Sequence, residues 1–573
     1  MKRFVSCMHA MATLLSMLVV VSATNAAQAQ SFDRAVVCAS GIGAYGWGPA
    51  QVTIDGQGNT YVTGRFNGTI TLGGFVLSAT QKAPSYSFPS DNFVAKLDAD
   101  GNYLWAVQMA DNQAAVITKP VVDAAGDVYV AGSFSSYSIR FGTSGPVLFN
   151  SSARSEGFIA KLQGSTGQWL WARRAGGVGD DYLDLPVVNS AGNLCLLGFN
   201  GGTAADAGPF SVSGRQHFLA QLNPAGVWQW VRPLGNPEAR IANLLLDAQD
   251  NLYLAGTFRS PSITFGATTL TTQSVPGTPS YSYELFVAKA NAAGTWQWAV
   301  QGDAVTHQNL VEGATLSADG LGHLYVAGSY TNRSMRIGAT VLLNLSTQYP
   351  LPNPLPPVPY TNNYYPDAFV ACLDTAGQWQ WATRNGGTYF EQVSKVMTDT
   401  QGRVYVLGFL DEMRPAISLA QKVGQLDAAT GRWRTVQSLA PSRVQDMALD
   451  RQDRLTLAGY FDEPTAQFGS FTLPSAGTGS TGFLARQGPG PLATRSPASS
   501  AAWQVWPNPS GQGEAWVLGP QPGKAVHLVD VLGRVVLRTH MPPAGALRLN
   551  TATLPKGLYV LRSQNQTARL VIN

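Results

Sequence analysis

Charge is the first thing this chain has little of. Asp, Glu, Lys and Arg make up 13% of its 573 residues, against roughly 25% in an ordinary soluble domain. The formal net charge is +4, and no run of Lys or Arg occurs. Composition therefore gives no electrostatic case for nucleic acid or an anionic membrane surface. Cysteine is scarce as well, with four residues. Beyond the first 29 positions only Cys38, Cys195 and Cys372 remain, far apart and set in apolar strand-like sequence, which excludes a disulfide framework. They read as small buried hydrophobes, the alternative being a reactive thiol or an intermolecular bridge. Beyond His9, the histidines His217, His307, His323, His527 and His540 form no metalloprotease or Cys/His zinc spacing. No G-x-S-x-G elbow or P-loop is present. The glycine-rich stretch at Gly56 opens a strand hairpin, with no helix behind it to hold a phosphate. These absences lead us to expect no catalytic residue, no metal and no cofactor.

Long apolar runs are missing too, except near the start. The opening MKRFVSCMHAMATLLSMLVVVSATNAAQAQS has a basic end, an apolar middle and the small-residue site Ala27-Gln28-Ala29. It reads as a signal peptide over residues 1–29. The alternative, an anchoring transmembrane helix, is disfavoured because the run Leu14 to Val21 is short for a span. No later segment is apolar enough to cross a bilayer.

What is present is repetition. DNFVAKLDADGNYLWAVQMA from Asp91 returns as EGFIAKLQGSTGQWLWARRA from Glu156, then from His217, Leu285 and Ala368, with a degenerate copy at Lys422. The aromatics Phe93, Phe158, Phe218, Phe286 and Phe369 recur roughly every 65 residues. A second signature precedes each copy: VTIDGQGNTYVTGRF from Val52, then relatives at Val121, Val187, Leu245, Leu316, Met397 and Ala448. Each unit alternates apolar and polar residues in short runs broken by D-x-x-G-type turns, and reads as four strands. The 60 glycines fit many tight turns. Seven such units predict an all-β fold, a seven-bladed β-propeller over residues 30–490. The seventh unit ends at GFLARQ without a fourth strand, while RAVVCASG (Arg34 to Gly41) precedes the first. The N-terminal strand is therefore expected to complete the seventh blade, the alternative being an open solenoid.

The repeating D-x-x-G-N-x-Y-V-x-G-x-F and F-V-A-K-L-D-x-x-G-x-x-x-W-A resemble the SBBP β-propeller repeats of secreted bacterial proteins. The sixth unit departs from that pattern. Asp55, Asp123, Asp247, Asp319, Asp399 and Asp450 open the first turns, with Asn189 in the third unit. Each turn offers one or two carboxylates, too few for calcium, and Asx turns explain them. The pairs Trp169/Trp171, Trp228/Trp230, Trp296/Trp298 and Trp379/Trp381 place both rings of a pair on one strand face. Recurrence favours packing between blades over exposed stacking platforms for sugars.

The turns between strands one and two, and three and four, share one face; the longer connections share the other. There the insert from Asn344 to Phe369 carries Tyr349, Tyr360, Tyr364 and Tyr365 on a proline-stiffened loop. Tyr281 and Tyr283 stand in a second insert, and Tyr86 in a third. Tyrosine on variable loops makes a recognition surface for an extracellular glycan or protein, the alternative being a tolerated insertion. Asp180, Asp181, Asp184, Glu312 and Glu391 share that face, but their spacing in sequence fixes no acid/base pair.

After a small-residue linker (491–502), residues 503–573 show short alternating strands, enough for a small β-sandwich. They are punctuated by Pro507-Asn508-Pro509, by Asp530 with Gly533 and Arg534, and by Gly557 with Tyr559. That order resembles the C-terminal sorting domain of type IX secretion in Bacteroidota. The resemblance implies passage through the type IX machinery, then release or attachment outside the outer membrane. The alternative is an accessory module such as a carbohydrate-binding sandwich. The sequence thus reads as an exported, non-catalytic binding propeller. A polysaccharide-degrading enzyme and a structural surface or gliding component remain the competing classes.

Overall fold

The computed structural model describes residues 32–42, 48–80, 90–111, 115–152, 154–272, 283–304, 311–331, 333–344, 365–385, 391–410, 421–439, 442–475 and 479–488. In the tail it describes 504–506, 514–518, 524–530, 534–542, 546–563 and 566–572. Every regular element among them is a β-strand. The chain divides into two compact units, Met1–Gly490 and Pro491–Asn573.

In the first unit, among the described residues, antiparallel strands are grouped into successive sheets, numbered in chain order. Sheet one is built from Gly48–Ile54, Thr60–Phe66, Asp91–Leu97 and Tyr103–Asp111, and sheet four from Arg240–Leu246, Leu252–Phe258, Glu284–Ala290 and Trp296–Ala304. Sheet seven takes three strands from its own segment, Arg443–Leu449, Leu455–Phe461 and Ser480–Gln487. Its fourth is Phe32–Ile42, antiparallel to Ser480–Gln487 with Phe32 opposite Gln487 and Val37 opposite Phe483.

Packing between sheets explains the pattern inside them. Strands such as Asp91–Leu97 and Leu194–Asn200 are buried at every position. Both faces of each sheet meet a neighbour, so the second and third strands do not follow the alternation read from the sequence. The core is accordingly layered. Tyr61, Val94 and Trp105 of sheet one join Val128, Val130 and Phe158 of sheet two. Cys38 and Ala39, with Ala458 and Leu484, join Val52, Val62 and Phe93, so sheet seven shares a layer with sheet one.

Tryptophan locks these layers laterally. Trp105 Nε1 donates to Gly164 O at 3.0 Å, Trp171 to Pro224 O at 3.1 Å, Trp298 to Thr375 O at 3.1 Å and Trp381 to Ala428 O at 2.9 Å. Each acceptor is the second residue of the next sheet's strand-three to strand-four turn. The tight turn brings its glycine under the ring: Gly167 has φ +73°, and a Cβ there would lie 2.8 Å from Trp105.

The connections between strands two and three are more regular than the sequence reading allowed. Among the described residues six contain a hairpin, such as Thr69–Leu72 with Phe75–Ser78 and Ser138–Phe141 with Val147–Phe149. Several extend the outer strand of the preceding sheet: Ser138–Phe141 pairs with Tyr103–Asp111, and Ala204–Ala207 with Trp169–Gly177. Their alternating burial, exposed then buried in Ser262–Phe265, is the period-2 pattern expected of a strand covered on one side.

The second unit has a three-stranded and a four-stranded sheet. Ala515, Val517 and Leu549 of one face Val526, Leu528 and Leu561 of the other in a shared core.

Candidate functional site

The first turns consume their carboxylates. Asp55 Oδ1 accepts the backbone N–H of Gln57 at 2.8 Å and of Asn59 at 2.9 Å, while Oδ2 accepts Tyr61 O–H at 3.0 Å. Asp123, Asp247 and Asp319 hold Tyr129, Tyr253 and Tyr325 in the same way at 2.9–3.0 Å. The repeated tyrosine is thus the turn's own partner. Among the described residues no group of three His, Cys, Asp or Glu could hold a metal ion.

Four residues before each turn stand Gln51, Lys119, Leu185, Asn243, Thr315, Lys395 and Asp446. The ladder is irregular beside them, as between Val393 and Lys395 or Val444 and Asp446, and such bulges re-aim side chains. Here Asp446 collects three sheets. Lys395 Nζ pairs with its Oδ1, Lys119 Nζ lies 3.6 Å from Oδ2, and the Val52 N–H donates to Oδ2 at 2.9 Å. Burial favours the neutral acid, but the Lys119 and Lys395 charges outweigh it and hold the Asp446 carboxyl below the usual range. Burial pulls the Lys395 ammonium below its ordinary value against the opposing pull of Asp446. Toward the turns the space widens into a cavity of about 1010 Å³, lined by residues such as Thr53, Ser317, Met397 and Arg451. This cluster ties sheets one, two, six and seven together.

The opposite ends of the strands form a different surface. In sheet three, Tyr182 O–H meets His217 Nε2 at 3.2 Å, and Phe199 packs on both rings at 5.2 and 4.7 Å. Burial pushes the His217 imidazole down to about 4. In sheet four, the guanidinium carbons of Arg240 and Arg259 lie 4.7 and 5.6 Å from the centre of the Tyr283 ring. Arg240 opens the first strand, Arg259 follows the second and Tyr283 precedes the third, so three adjacent strand ends build the group. Both arginines are exposed.

Of the tyrosines expected at this surface, Tyr283 and Tyr365 lie among the described residues. Tyr365 is half-buried, and its carbonyl accepts from Asn344 Nδ2 at 2.9 Å. Tyr86, Tyr281, Tyr349, Tyr360 and Tyr364 lie outside the described residues. Among the acidic residues, Asp181 is buried and accepts the backbone N–H of Gly177 at 2.6 Å and of Gly201 at 2.8 Å, a backbone-bracing role. The sequence reading missed Arg240 and Arg259, which stand in no shared motif. It also missed Lys119, Lys395 and Asp446, whose signal is a fixed offset from the turn Asp rather than a residue type.

In the tail, Arg534 donates to Asp530 through its backbone N–H at 2.9 Å and through Nε at 2.8 Å. Tyr559 O–H donates to Pro555 O at 2.7 Å from a ring lying in the core. Gly557 opens the strand Gly557–Ser563 that carries this tyrosine. Pro507, Asn508, Pro509 and Gly533 lie outside the described residues.

Residues 504–573 match the family described as the secretion system C-terminal sorting domain. The chain therefore carries a type IX sorting tail, which marks it for secretion and the cell surface, behind an all-β unit of β-propeller type. Over 256 residues it is 22% identical to an uncharacterized WD repeat-containing protein of Acanthamoeba polyphaga mimivirus, covering 43% of this chain and 14% of that protein's length. Among solved structures, it is similar to quinohemoprotein alcohol dehydrogenase from Comamonas testosteroni, with TM-score 0.37, 9% identity, and 79% and 76% of the two chains covered. It is also similar to PorZ, a surface component of the type IX secretion system of Porphyromonas gingivalis. That likeness has TM-score 0.31 and 11% identity, over 92% of this chain and 75% of the other. Among the described residues no helix is long and apolar enough to cross a membrane.

Proposed function

We propose that this chain is an exported seven-bladed β-propeller, closed by its N-terminal strand, that recognises an extracellular glycan or protein without catalysis. In this reading residues 1–29 are removed as a signal peptide and 30–490 form a ring of SBBP-like blades. Residues 491–502 are the linker, and 503–573 engage the type IX machinery. The pairing of Phe32–Ile42 with Ser480–Gln487, and the layer shared by sheets seven and one, support closure.

Recognition is assigned to the face of the longer connections. One observation carries this: the Arg240, Arg259 and Tyr283 group, two exposed arginines beside a half-buried tyrosine at adjoining strand ends. Aromatic rings and guanidinium groups supply contact area and directional hydrogen bonds at binding surfaces. The test is a glycan array and a polysaccharide pull-down with the secreted chain. Its matched variant has Tyr283, Tyr360, Tyr364 and Tyr365 changed to Ala. Binding that disappears in the variant supports recognition through this face. Binding that persists moves the site elsewhere, and no binding by the parent chain removes the glycan half of the reading.

A further inference from the structure

From the meeting of Lys119, Lys395 and Asp446 we infer that the cavity at the turn end of the first unit binds an oxyanion, a carboxylate or phosphate group, against the two lysines. The inference is independent of the recognition reading, whose surface lies at the opposite ends of the strands.

Two ammonium groups share one carboxylate. Lys395 Nζ pairs with Asp446 Oδ1, and Lys119 Nζ lies 3.6 Å from Oδ2. Among the described residues neither lysine has a second anion. The equivalent positions of the other first strands carry Gln51, Leu185, Asn243 and Thr315, all uncharged. Asp184, beside Leu185, accepts the Leu185 N–H at 2.6 Å and forms no ion pair with either lysine. The group therefore holds one positive charge more than it neutralises.

Access to the group is one-sided. The Asp446 side chain is 7% exposed and already accepts the Val52 and Met447 N–H groups at 2.9 Å, whereas the Lys119 and Lys395 side chains are 37% and 19% exposed. The carboxylate is shut in and the ammonium groups are not. The ladder runs regularly from Lys395 to Met397, from Gln51 to Thr53 and from Thr315 to Ser317. Residues two apart share a strand face, and Met397, Thr53 and Ser317 line the cavity of about 1010 Å³. Lys395 thus stands on the face that continues into the cavity, and Lys119 meets it there at Asp446.

The rim of the cavity is acidic, but its carboxylates are engaged. Asp123 pairs with Lys161 at 3.2 Å, Asp319 with His323 at 2.8 Å, Asp450 with Arg454 at 2.6 Å and Asp399 with Arg403. Asp55 and Asp453 accept backbone N–H groups at 2.9 and 3.0 Å. Four strand residues at about 3.3 Å each put the lysines about 13 Å from these turns, beyond a Debye length of about 10 Å at 0.1 M salt.

Ammonium groups converging from two sheets hold one oxyanion through charged hydrogen bonds, which are about twice as strong as neutral ones. Burial lowers the Lys395 ammonium below its ordinary value; Asp446 opposes this and Lys119 adds to it. An anion arriving beside Lys395 favours its charged form, so binding near neutral pH takes up protons.

The experiment is isothermal titration calorimetry of the purified full chain with sodium sulfate and with sodium acetate, at an ionic strength fixed with sodium chloride. Sulfate is a tetrahedral oxyanion that does not titrate near neutral pH. Repeating each titration in two buffers of different ionisation enthalpy measures the proton uptake. The parent should bind at least one of the two anions at one site per chain, with net uptake of protons. Sulfate binding alone points to a phosphate-bearing ligand, acetate binding alone to a carboxylate. K119M leaves one ammonium for one carboxylate; it should keep the parent's melting temperature and bind at least about tenfold more weakly. K119R should retain binding. D446N leaves both ammonium groups without their anion and should bind at least about tenfold more tightly.

A parent chain that binds neither anion overturns the inference. Binding without proton uptake, or binding unchanged in K119M, puts the anion elsewhere and overturns it too. None of these outcomes bears on the glycan array.

Discussion

Arg34 Nη1 donates to Ala99 O at 2.5 Å, the same turn position that tryptophan Nε1 reaches between other sheets. Arg34 lies on the strand Phe32–Ile42, and Arg486 of the paired strand reaches the same carbonyl at 3.3 Å. A cation thus does at this junction what an indole does at four others. Changing Arg34 to Ala should cost about 1–2 kcal/mol, the worth of a charged hydrogen bond at a part-buried site. Deleting residues 31–40 should lower the melting temperature far more and broaden the transition. Differential scanning calorimetry of both variants checks this; an unaltered transition after the deletion would sink ring closure.

Trp105 separates packing from hydrogen bonding. Its ring is 4% exposed and its Nε1 serves Gly164 O. Trp105→Phe should cost about 1 kcal/mol for the lost bond, and Trp105→Ala about 3–5 kcal/mol for the cavity. Urea denaturation of the two variants gives the comparison. Gly167→Ala is expected to destabilise as well, because its φ is positive and a Cβ would press on Trp105.

The axial carboxylate gives a charge-dependent prediction. Asp446→Asn leaves the Lys119 and Lys395 ammonium groups without their anion and should destabilise by about 3–5 kcal/mol at neutral pH. Adding Lys395→Met should recover much of the loss. In the single variant, stability should rise with pH toward the ordinary lysine range, because the unfolded chain then binds more protons than the folded one. Denaturation midpoints measured from neutral to alkaline pH test the sign.

His217 works on the acid side. Its folded value of about 4 lies below the ordinary histidine value of about 6.5, so between those two the unfolded chain holds the extra proton. Its contribution is complete above the upper value and lost as pH falls toward 4, up to about 3 kcal/mol. His217→Phe should flatten that part of the stability profile. A parent chain whose acid-side stability is no steeper than the variant's would contradict the burial argument.

Much of the architecture was readable because packing repeats a residue type. Trp at the fourth strand and Asp six residues before Tyr at the first turn recur as letters. The hairpins between strands two and three were harder to read. Ser262–Phe265 and Thr268–Thr271 share only a loose alternation around a glycine turn with Thr69–Leu72 and Phe75–Ser78, so they passed as irregular connection. Lys119, Lys395 and Asp446 were less legible still. Their position repeats but their identity does not, and opposite charges meet only after the first strands converge. Arg240, Arg259 and Tyr283 become neighbours through the ladder that joins three strand ends, a relation that sequence order hides.

The pairing of Asp33 with Arg486, 453 residues apart in the chain, sets an order in time. At about 5–20 residues per second of synthesis, the strand made first waits tens of seconds for its partner. Until then the edge that meets Ser480–Gln487 remains unpaired, and the contact that fills it has among the longest sequence separations in the molecule. Such distant contacts slow folding. A chain stopped short of Ser480 would leave the Phe32–Ile42 strand without the partner it pairs with along most of its length.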